Sequence, residues 1–461
     1  MTPSSTLRPV SNVLDLIGNT PIVKLSHFDT GLCSLYAKLE NQNPGGSIKD
    51  RIALKMIEVA EQEGKLKPGG TIVEATAGNT GLGLALVAFQ KGYRLILVIP
   101  DKMSKEKMAH LRAMGAQIVM TRSDVGKGHP DYYQDLAESI AEREGAFYVN
   151  QFGNAANPLA HELSTGPEIW EQMNGQVDAI VCAVGSSGTL TGLSRYFAKV
   201  SPQTEIVLAD PAGSILVHYV ETGEVLKESG SWLTEGIGED FIPSIADFSR
   251  VRAAYTVNDQ ESFDHARELL LREGILGGSS TGTLLAAALR YCREQSTPKN
   301  VVTFVCDSGN KYLSKMFNDQ WLMDQGFIER PKSGTLRDVI SRLHDDRATV
   351  VVGPEDTLNT AITRMKLYDV SQLPVIEGDK IVGIVDESDL LLALIKESGA
   401  FRKPVRKIMT HRLVTVTPET QIEALLPVLD QGLVVIVEDQ GRFLGLITRM
   451  DLINHLRLQL R

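Results

Sequence analysis

The chain has 461 residues, 43% hydrophobic and 23% charged, the balance of an ordinary water-soluble globular protein with room for roughly two to four domains. A net charge of −10 argues against nucleic acid or an anionic membrane as partner, and no run approaches the ~18 to 20 apolar residues of a membrane span. The opening MTPSSTLRPVSNVLDLIG lacks a signal-peptide core, and Cys33, Cys182, Cys292 and Cys306 are too scattered for structural zinc or a disulfide framework, so a cytoplasmic, metal-free protein with buried, inert thiols is expected.

The first informative stretch is NPGGSIKDR (43–51), where a glycine turn puts Lys49 at the start of a helical run reaching residue 64. A helix start already carries unpaired N–H groups and partial positive charge, the wrong end for a cation. Apolar strands then alternate with helices. TIVEATA (71–77), RLILVIP (94–100), DAIVCAV (178–184), EIVLAD (205–210) and NVVTFVCD (300–307) read as strands, and 104–116 and 261–274 as helices. That alternation predicts parallel sheets covered by helices on both faces, with ligands at the carboxyl ends of the strands.

Four loops stand at such ends: the one holding Lys49, EATAGNTGLG (74–83), VGSSGTLTG (184–192) and LGGSSTG (276–282). VGSSGTLTG has the small residues, hydroxyls and helix entry of a phosphate cradle, although a tight turn needs the same residues. No G-x-x-x-x-G-K-[ST] loop is present, and the glycines of the second loop run in the wrong order for a dinucleotide fingerprint. A cradle without a basic residue suits one phosphate monoester. Lys49 is either a surface cation beside a turn or an amine whose charged form is disfavoured. The second option, joined to a metal-free phosphate site, points to a Schiff base with pyridoxal 5′-phosphate.

From 329 to 338 the chain reads as a linker, and beyond it GIVDESDLLLAL (383–394) and GLITRMDLINHL (445–456) align at an offset of 62. Two similar small units packed together are expected. The domains are thus placed at 1–328, 339–398 and 399–461.

NPGGSIKDR, ATAGNTGLGLAL, QFGNAANPLAH, TGPEIW, GSSGTLTG, EGIGEDF and GGSSTG occur in the order found in the β-replacement enzymes of pyridoxal-phosphate fold type II. Residues 11 to about 328 therefore resemble the family of cysteine synthases and cystathionine β-synthases, and the tail resembles a tandem pair of CBS domains. The resemblance implies an α/β fold: two open, twisted, mostly parallel sheets flanked by helices, plus a pair of small α/β CBS domains.

It also implies roles. Lys49 binds the cofactor and moves the substrate's α-proton, Asn79 bonds the cofactor's ring oxygen, and Gly185, Ser186, Ser187, Gly188 and Thr189 hold its phosphate. Ser279 faces the pyridine nitrogen, where a neutral hydroxyl makes the ring a mild electron sink. Thr76, Ala77, Asn79, Thr80 and Gln151 hold the substrate carboxylate, and Glu239 stands at the mouth. Ala77 departs from the serine frequent in the family, and GSSGT replaces the commoner GTGGT. The haem-binding relatives carry Cys and His ligands in an N-terminal extension; neither residue is among the first ten here, so no haem is expected.

The implied reaction is condensation of L-serine with L-homocysteine to L-cystathionine and water, with sulfide formation when cysteine replaces serine. The alternative is a cysteine synthase using O-acetylserine or O-phosphoserine and sulfide. In the tail, Val370, Gln372, Pro374, Asp389, Thr448 and Asp451 are the candidates for an adenosyl ligand, S-adenosylmethionine or an adenine nucleotide. Asp386 replaces the Ser/Thr of the ribose motif in the first repeat, which predicts one competent site rather than two. A homodimer or higher oligomer is the family expectation.

Overall fold

A computed structural model describes residues 9–459 apart from 77, 102, 104, 127, 227, 330–332 and 398. The N-terminal eight residues, on which the absence of haem ligands partly rests, lie outside this range, as does Ala77. The chain divides into two compact units, Met1–Phe317 and Asn318–Arg461.

In the first unit the strands are β1 (Ile22–Lys24), β2 (Ser34–Lys38), β3 (Thr71–Ala75), β4 (Arg94–Pro100), β5 (Gln117–Thr121), β6 (Phe147–Tyr148), β7 (Ala179–Ala183), β8 (Glu205–Pro211), β9 (Val251–Val257) and β10 (Asn300–Phe304). They form a six-stranded sheet in the order β1-β2-β10-β7-β8-β9 and a four-stranded sheet in the order β5-β4-β3-β6. Every pairing is parallel except β1 with β2.

The smaller sheet shows why its strands read as continuous apolar runs. Ile72, Leu95, Leu97 and Ile99 pack on one face, against the helices Lys49–Gln62 and Asn79–Lys91. Val73, Ala75, Ile96 and Val98 pack on the other, against the helix Tyr133–Glu144. Burial on both faces removes the polar alternation of a half-exposed strand. The two helices on the first face approach so closely that a Cβ at Gly83 would stand 3.0 Å from the carbonyl oxygen of Lys49.

The start of the Lys49 helix is held by buried charges. Arg51 donates from Nε and Nη2 to Glu40, at 2.7 and 2.8 Å, and from Nη1 and Nη2 to Glu168, at 2.6 and 2.7 Å. Lys38 completes the cluster with a 2.7 Å bond to Glu168. The cluster ties the end of β2, the Lys49 helix and the helix Gly166–Gln172 together, which accounts for the acid of TGPEIW.

In the second unit the repeat is exact in kind down to its irregularities. β11 (Gln372–Glu377) pairs with β12 (Lys380–Asp386), and β14 (Val435–Asp439) with β15 (Arg442–Ile447), both antiparallel; β13 (Thr415–Val416) runs parallel to β14. The register shifts at Val375/Ile376 in one repeat and at Val437/Glu438 in the other, again 62 residues apart. Packing, however, crosses the expected boundaries. Leu336, Val339 and Ile340 enter the core of the second repeat, whereas Ala400 and Val405 enter that of the first.

The helix Asp319–Gln325 also belongs to this unit, ahead of the expected division at 328. Arg457 donates to the carbonyl of Asp324 at 2.7 Å, anchoring that helix to the C-terminal helix Arg449–Gln459.

Arg51→Met strands the fully buried Glu40 carboxylate. We expect a loss of about 3–5 kcal/mol, the range for breaking a buried ion pair from one side, read by denaturant unfolding. A loss below about 1 kcal/mol would show that the cluster does not hold this junction.

Candidate active site

The loops at the carboxyl ends of β3, β7 and β10 meet the starts of four helices, Lys49–Gln62, Asn79–Lys91, Gly188–Val200 and Ser279–Arg293, around one cavity. Lys49, Asn79, Gly185, Thr189, Ser280 and Cys306 line it together with apolar side chains including Ile48, Ile237, Leu284 and Phe304. Lys49 opens its helix, as its sequence position suggests, and keeps part of its surface open to the cavity. Burial pushes its ammonium pKa down, and the nearby Cys306, Glu239 and Asp307 oppose that shift. Loss of hydration is the largest effect that disfavours the cation.

The phosphate-cradle residues divide into two groups. Gly185 and Thr189 face the cavity. Ser186 is bonded from behind, its Oγ accepting from Asn157 Nδ2 at 2.9 Å, and Thr189 Oγ1 lies 3.3 Å from His161 Nε2. The QFGNAANPLAH stretch thus supports the loop. Ser187 adopts a left-handed backbone (φ 69°), a conformation costing a non-glycine residue about 1–2 kcal/mol. Its Oγ lies 3.2 Å from Thr191 Oγ1. A Cβ at Gly188 would stand 1.8 Å from Asn157 Oδ1, so no larger residue fits there.

Ser279 Oγ accepts from the backbone N–H of Glu235 at 3.0 Å, which leaves its own O–H as a donor, and its neighbour Ser280 is among the residues that line the cavity.

Two of the candidate carboxylate-binding residues, Thr80 and Gln151, bond each other, while Thr76 bonds within its own loop. Thr80 donates to Gln151 Oε1 at 2.6 Å, Gln151 Nε2 donates to Glu74 Oε1 and the Ala75 carbonyl, both at 3.2 Å, and Thr76 Oγ1 accepts from Gly78 N–H at 3.1 Å. Glu74 is fully buried, and burial pushes its carboxyl up to about 8. Glu239 stands by Gly185; a Cβ there would lie 3.8 Å from its Oε1.

Sequence reasoning missed Ser280, Asp307, Lys311 and Tyr312. The segment 305–312 was read in part as strand, yet β10 ends at Phe304 and the rest turns into the site. The rule that ligands sit beyond parallel strands applies to β10 as well and could have found them. Three of the thiols are buried as expected, but Cys306 lines the cavity beside Lys49.

In the second unit, Asp451 Oδ2 accepts from the Thr448 N–H at 2.7 Å and hydroxyl at 2.6 Å, and its Oδ1 from Ser341, a residue the repeat did not flag. Asp389 and Asp386 form the same reciprocal cap as Asp451 and Thr448, and burial together with the Asp386 charge pushes Asp389 up. Gln372 pairs across to Asp386, Pro374 is buried on the same strand, and the Val370 N–H bonds Met365.

Lys49→Met should raise the thermal midpoint of the cofactor-free protein, by roughly 2–4 °C for each kcal/mol gained. The folded-state pKa of Lys49 lies below its unfolded value, so the parent binds fewer protons when folded and gains stability as pH rises through that window. The variant lacks this gain, and its advantage should shrink towards alkaline pH. No advantage at neutral pH would contradict burial of the amine.

A model for pyridoxal-phosphate dependent enzymes matches residues 13–307, and a CBS-domain model matches 336–396 and 405–458. A cystathionine beta-synthase of Dictyostelium discoideum is 33% identical over 97% of this chain and 92% of its own. One of Mus musculus is 40% identical over 83% and 70%. The crystal structure of an O-acetylserine dependent cystathionine beta-synthase from Helicobacter pylori is 34% identical, covers 67% of this chain and 99% of that one, and superposes with a TM-score of 0.62. With Lys49, the 185–189 loop and the helix starts converging on one cavity, the chain belongs to the pyridoxal-phosphate dependent enzymes and carries a C-terminal pair of CBS domains.

Proposed function

We propose that the first unit condenses L-serine with L-homocysteine to L-cystathionine, releasing water. The observation that carries this reading is the enclosure of Lys49 in one cavity with Asn79, the 185–189 loop and Ser280. The donor set fits pyridoxal phosphate: an amine, a helix start with free N–H groups, two hydroxyls and apolar walls. When bound, the cofactor supplies the electron sink that acidifies the substrate's α-hydrogen.

The chain's own residues supply the rest. Lys49, with its charge disfavoured, takes and returns a proton at Nζ. Thr189 and the N–H groups of residues 185–189 hold the phosphate, aided by Ser186, Ser187 and Gly188. Asn79 holds the ring oxygen, and Ser279, whose hydroxyl keeps its hydrogen as a donor, faces the ring nitrogen, with Ser280 beside it in the cavity wall. Thr76 turns its hydroxyl, and Thr80 at the helix start its backbone N–H, to the substrate carboxylate, while Gln151, whose amide hydrogens go to Glu74 and Ala75, braces Thr80. Glu239 protonates the departing hydroxyl or receives the amino group of the second substrate. Cysteine in place of serine would release sulfide by the same steps.

The second reading is cysteine synthesis from O-acetylserine and sulfide; the Helicobacter pylori relative is named for that donor, though for cystathionine as product. Initial rates with serine plus homocysteine should exceed those with O-acetylserine plus sulfide; the reverse order would establish the second reading. Lys49→Ala should lower either rate by about 10²–10⁴-fold or more.

For the tail we propose regulation through S-adenosylmethionine or an adenine nucleotide, in a cytoplasmic homo-oligomer. Asp451 serves the ribose hydroxyls, while the facing Asp386 and Asp389 carboxylates make the first repeat the poorer site. In titration calorimetry with S-adenosylmethionine, Asp451→Ala should weaken binding at least ~tenfold, the scale of a charged hydrogen bond, and Asp389→Ala far less. Equal losses would contradict a single ribose site.

A further inference from the structure

A buried chain of hydrogen bonds that no sequence motif announced runs behind Asn79. The segment after β10 supplies it. Asn79 Nδ2 donates to Asp307 Oδ2 at 2.7 Å, and Lys311 Nζ donates to Asn79 Oδ1 at 2.9 Å. Tyr312 donates its hydroxyl to the same Asp307 oxygen at 2.6 Å, and Lys107 Nζ donates to Tyr312 at 3.0 Å while lying 4.6 Å from the ring centre. Lys311 also donates to the carbonyls of Gly45 and Gly46, at 3.4 and 3.0 Å. Asp307, Tyr312 and Lys107 are at most 2% exposed and Lys311 8%.

Chemistry fixes the amide's orientation. An ammonium has donors only, so the atom it meets must be the amide oxygen; a carboxylate accepts, so it meets the amide nitrogen. A reversed amide would face donor with donor and acceptor with acceptor. Of the two hydrogens on Nδ2, one is used by Asp307. The other projects about 120° away, and Asn79 forms part of the cavity wall beside Lys49.

We propose that Lys311 and Asp307 are positioning residues that hold the amide of Asn79 with its second N–H turned into the cavity, and that Lys311 ties this amide to the glycine turn preceding Lys49. The proposal rests on the reading of Asn79 as the partner of the cofactor's ring oxygen. It gives a reason to keep a lysine where burial lowers its pKa and only the Asp307 and Asp50 charges offset the cost. A merely structural lysine could be replaced by an apolar side chain of similar length; one that orients an amide could not.

The test is a double-mutant cycle on cofactor binding. Apoprotein of the parent, Lys311→Met, Asn79→Ala and the double variant is titrated with pyridoxal phosphate, and dissociation constants and visible absorption are recorded. Each single variant should bind about tenfold more weakly or worse, the scale of losing a charged hydrogen bond, with a displaced absorption maximum. The double variant should bind no more weakly than the worse single, because Lys311 acts through Asn79. Parental binding by Lys311→Met, or losses that multiply in the double variant, would overturn the proposal. Unchanged binding by Asn79→Ala would overturn the role given to Asn79 itself, a distinguishable result. Should Lys311→Met fail to fold, Asp307→Asn, which keeps an acceptor, is compared with Asp307→Leu. The first should retain most of the affinity and the second lose it; equal affinities overturn the proposal.

Discussion

The rest of the site depends on keeping a primary amine out of bulk water at the positive end of a helix. An ammonium ion on the surface would stay charged across the physiological range and could not act as a nucleophile or base. Burial of Lys49 removes hydration from the charged form, and the carboxylates and thiol around the cavity limit the shift. The charged form of the amine is thereby less favoured than it would be on the surface. The surrounding fold can be understood as what is needed to hold it there: helix Lys49–Gln62 packs on Asn79–Lys91 through Gly83, and the Arg51 cluster pins its first turn.

That cluster illustrates how a site residue is placed by others that touch no substrate. Arg51 sits one position beyond Asp50 and two beyond Lys49, so any slippage of its four bonds to Glu40 and Glu168 would move the amine. Behind the cavity, Asn157 and His161 support the loop hydroxyls in the same way, and Lys311 joins the glycine turn to Asn79. The motifs that identify the family are therefore mixtures of cavity residues and braces. In TGPEIW the acid is a brace, and in GGSSTG Ser279 takes the Glu235 N–H while Ser280 stands in the cavity wall.

This mixture explains what could be read from the sequence. Continuous apolar strands between helices pointed to doubly covered parallel sheets, and that pattern is robust because both faces of β3 and β4 are buried. The glycine turn with Lys49 was legible because a cation at a helix start is an electrostatic anomaly. The tandem repeat was legible from its 62-residue offset, but the exchange of packing segments around 336–340 and 400–405 was not, since it depends on which core each apolar residue enters. The contact of Ser279 with Glu235 and the place of Ser280 in the cavity wall were not legible from GGSSTG, because composition carries no direction. Asp307 escaped notice because it closes a segment read as strand, and Lys311 because it lies beyond that segment, where no motif was read.

The most direct test of the central claim is chemical. The holoenzyme is reduced with borohydride, digested, and mapped by mass spectrometry for the added pyridoxyl group. The account predicts one such group per chain, on the peptide containing Lys49. Its attachment to Lys107 or Lys311, or its absence from every lysine while the enzyme remains active, would contradict it.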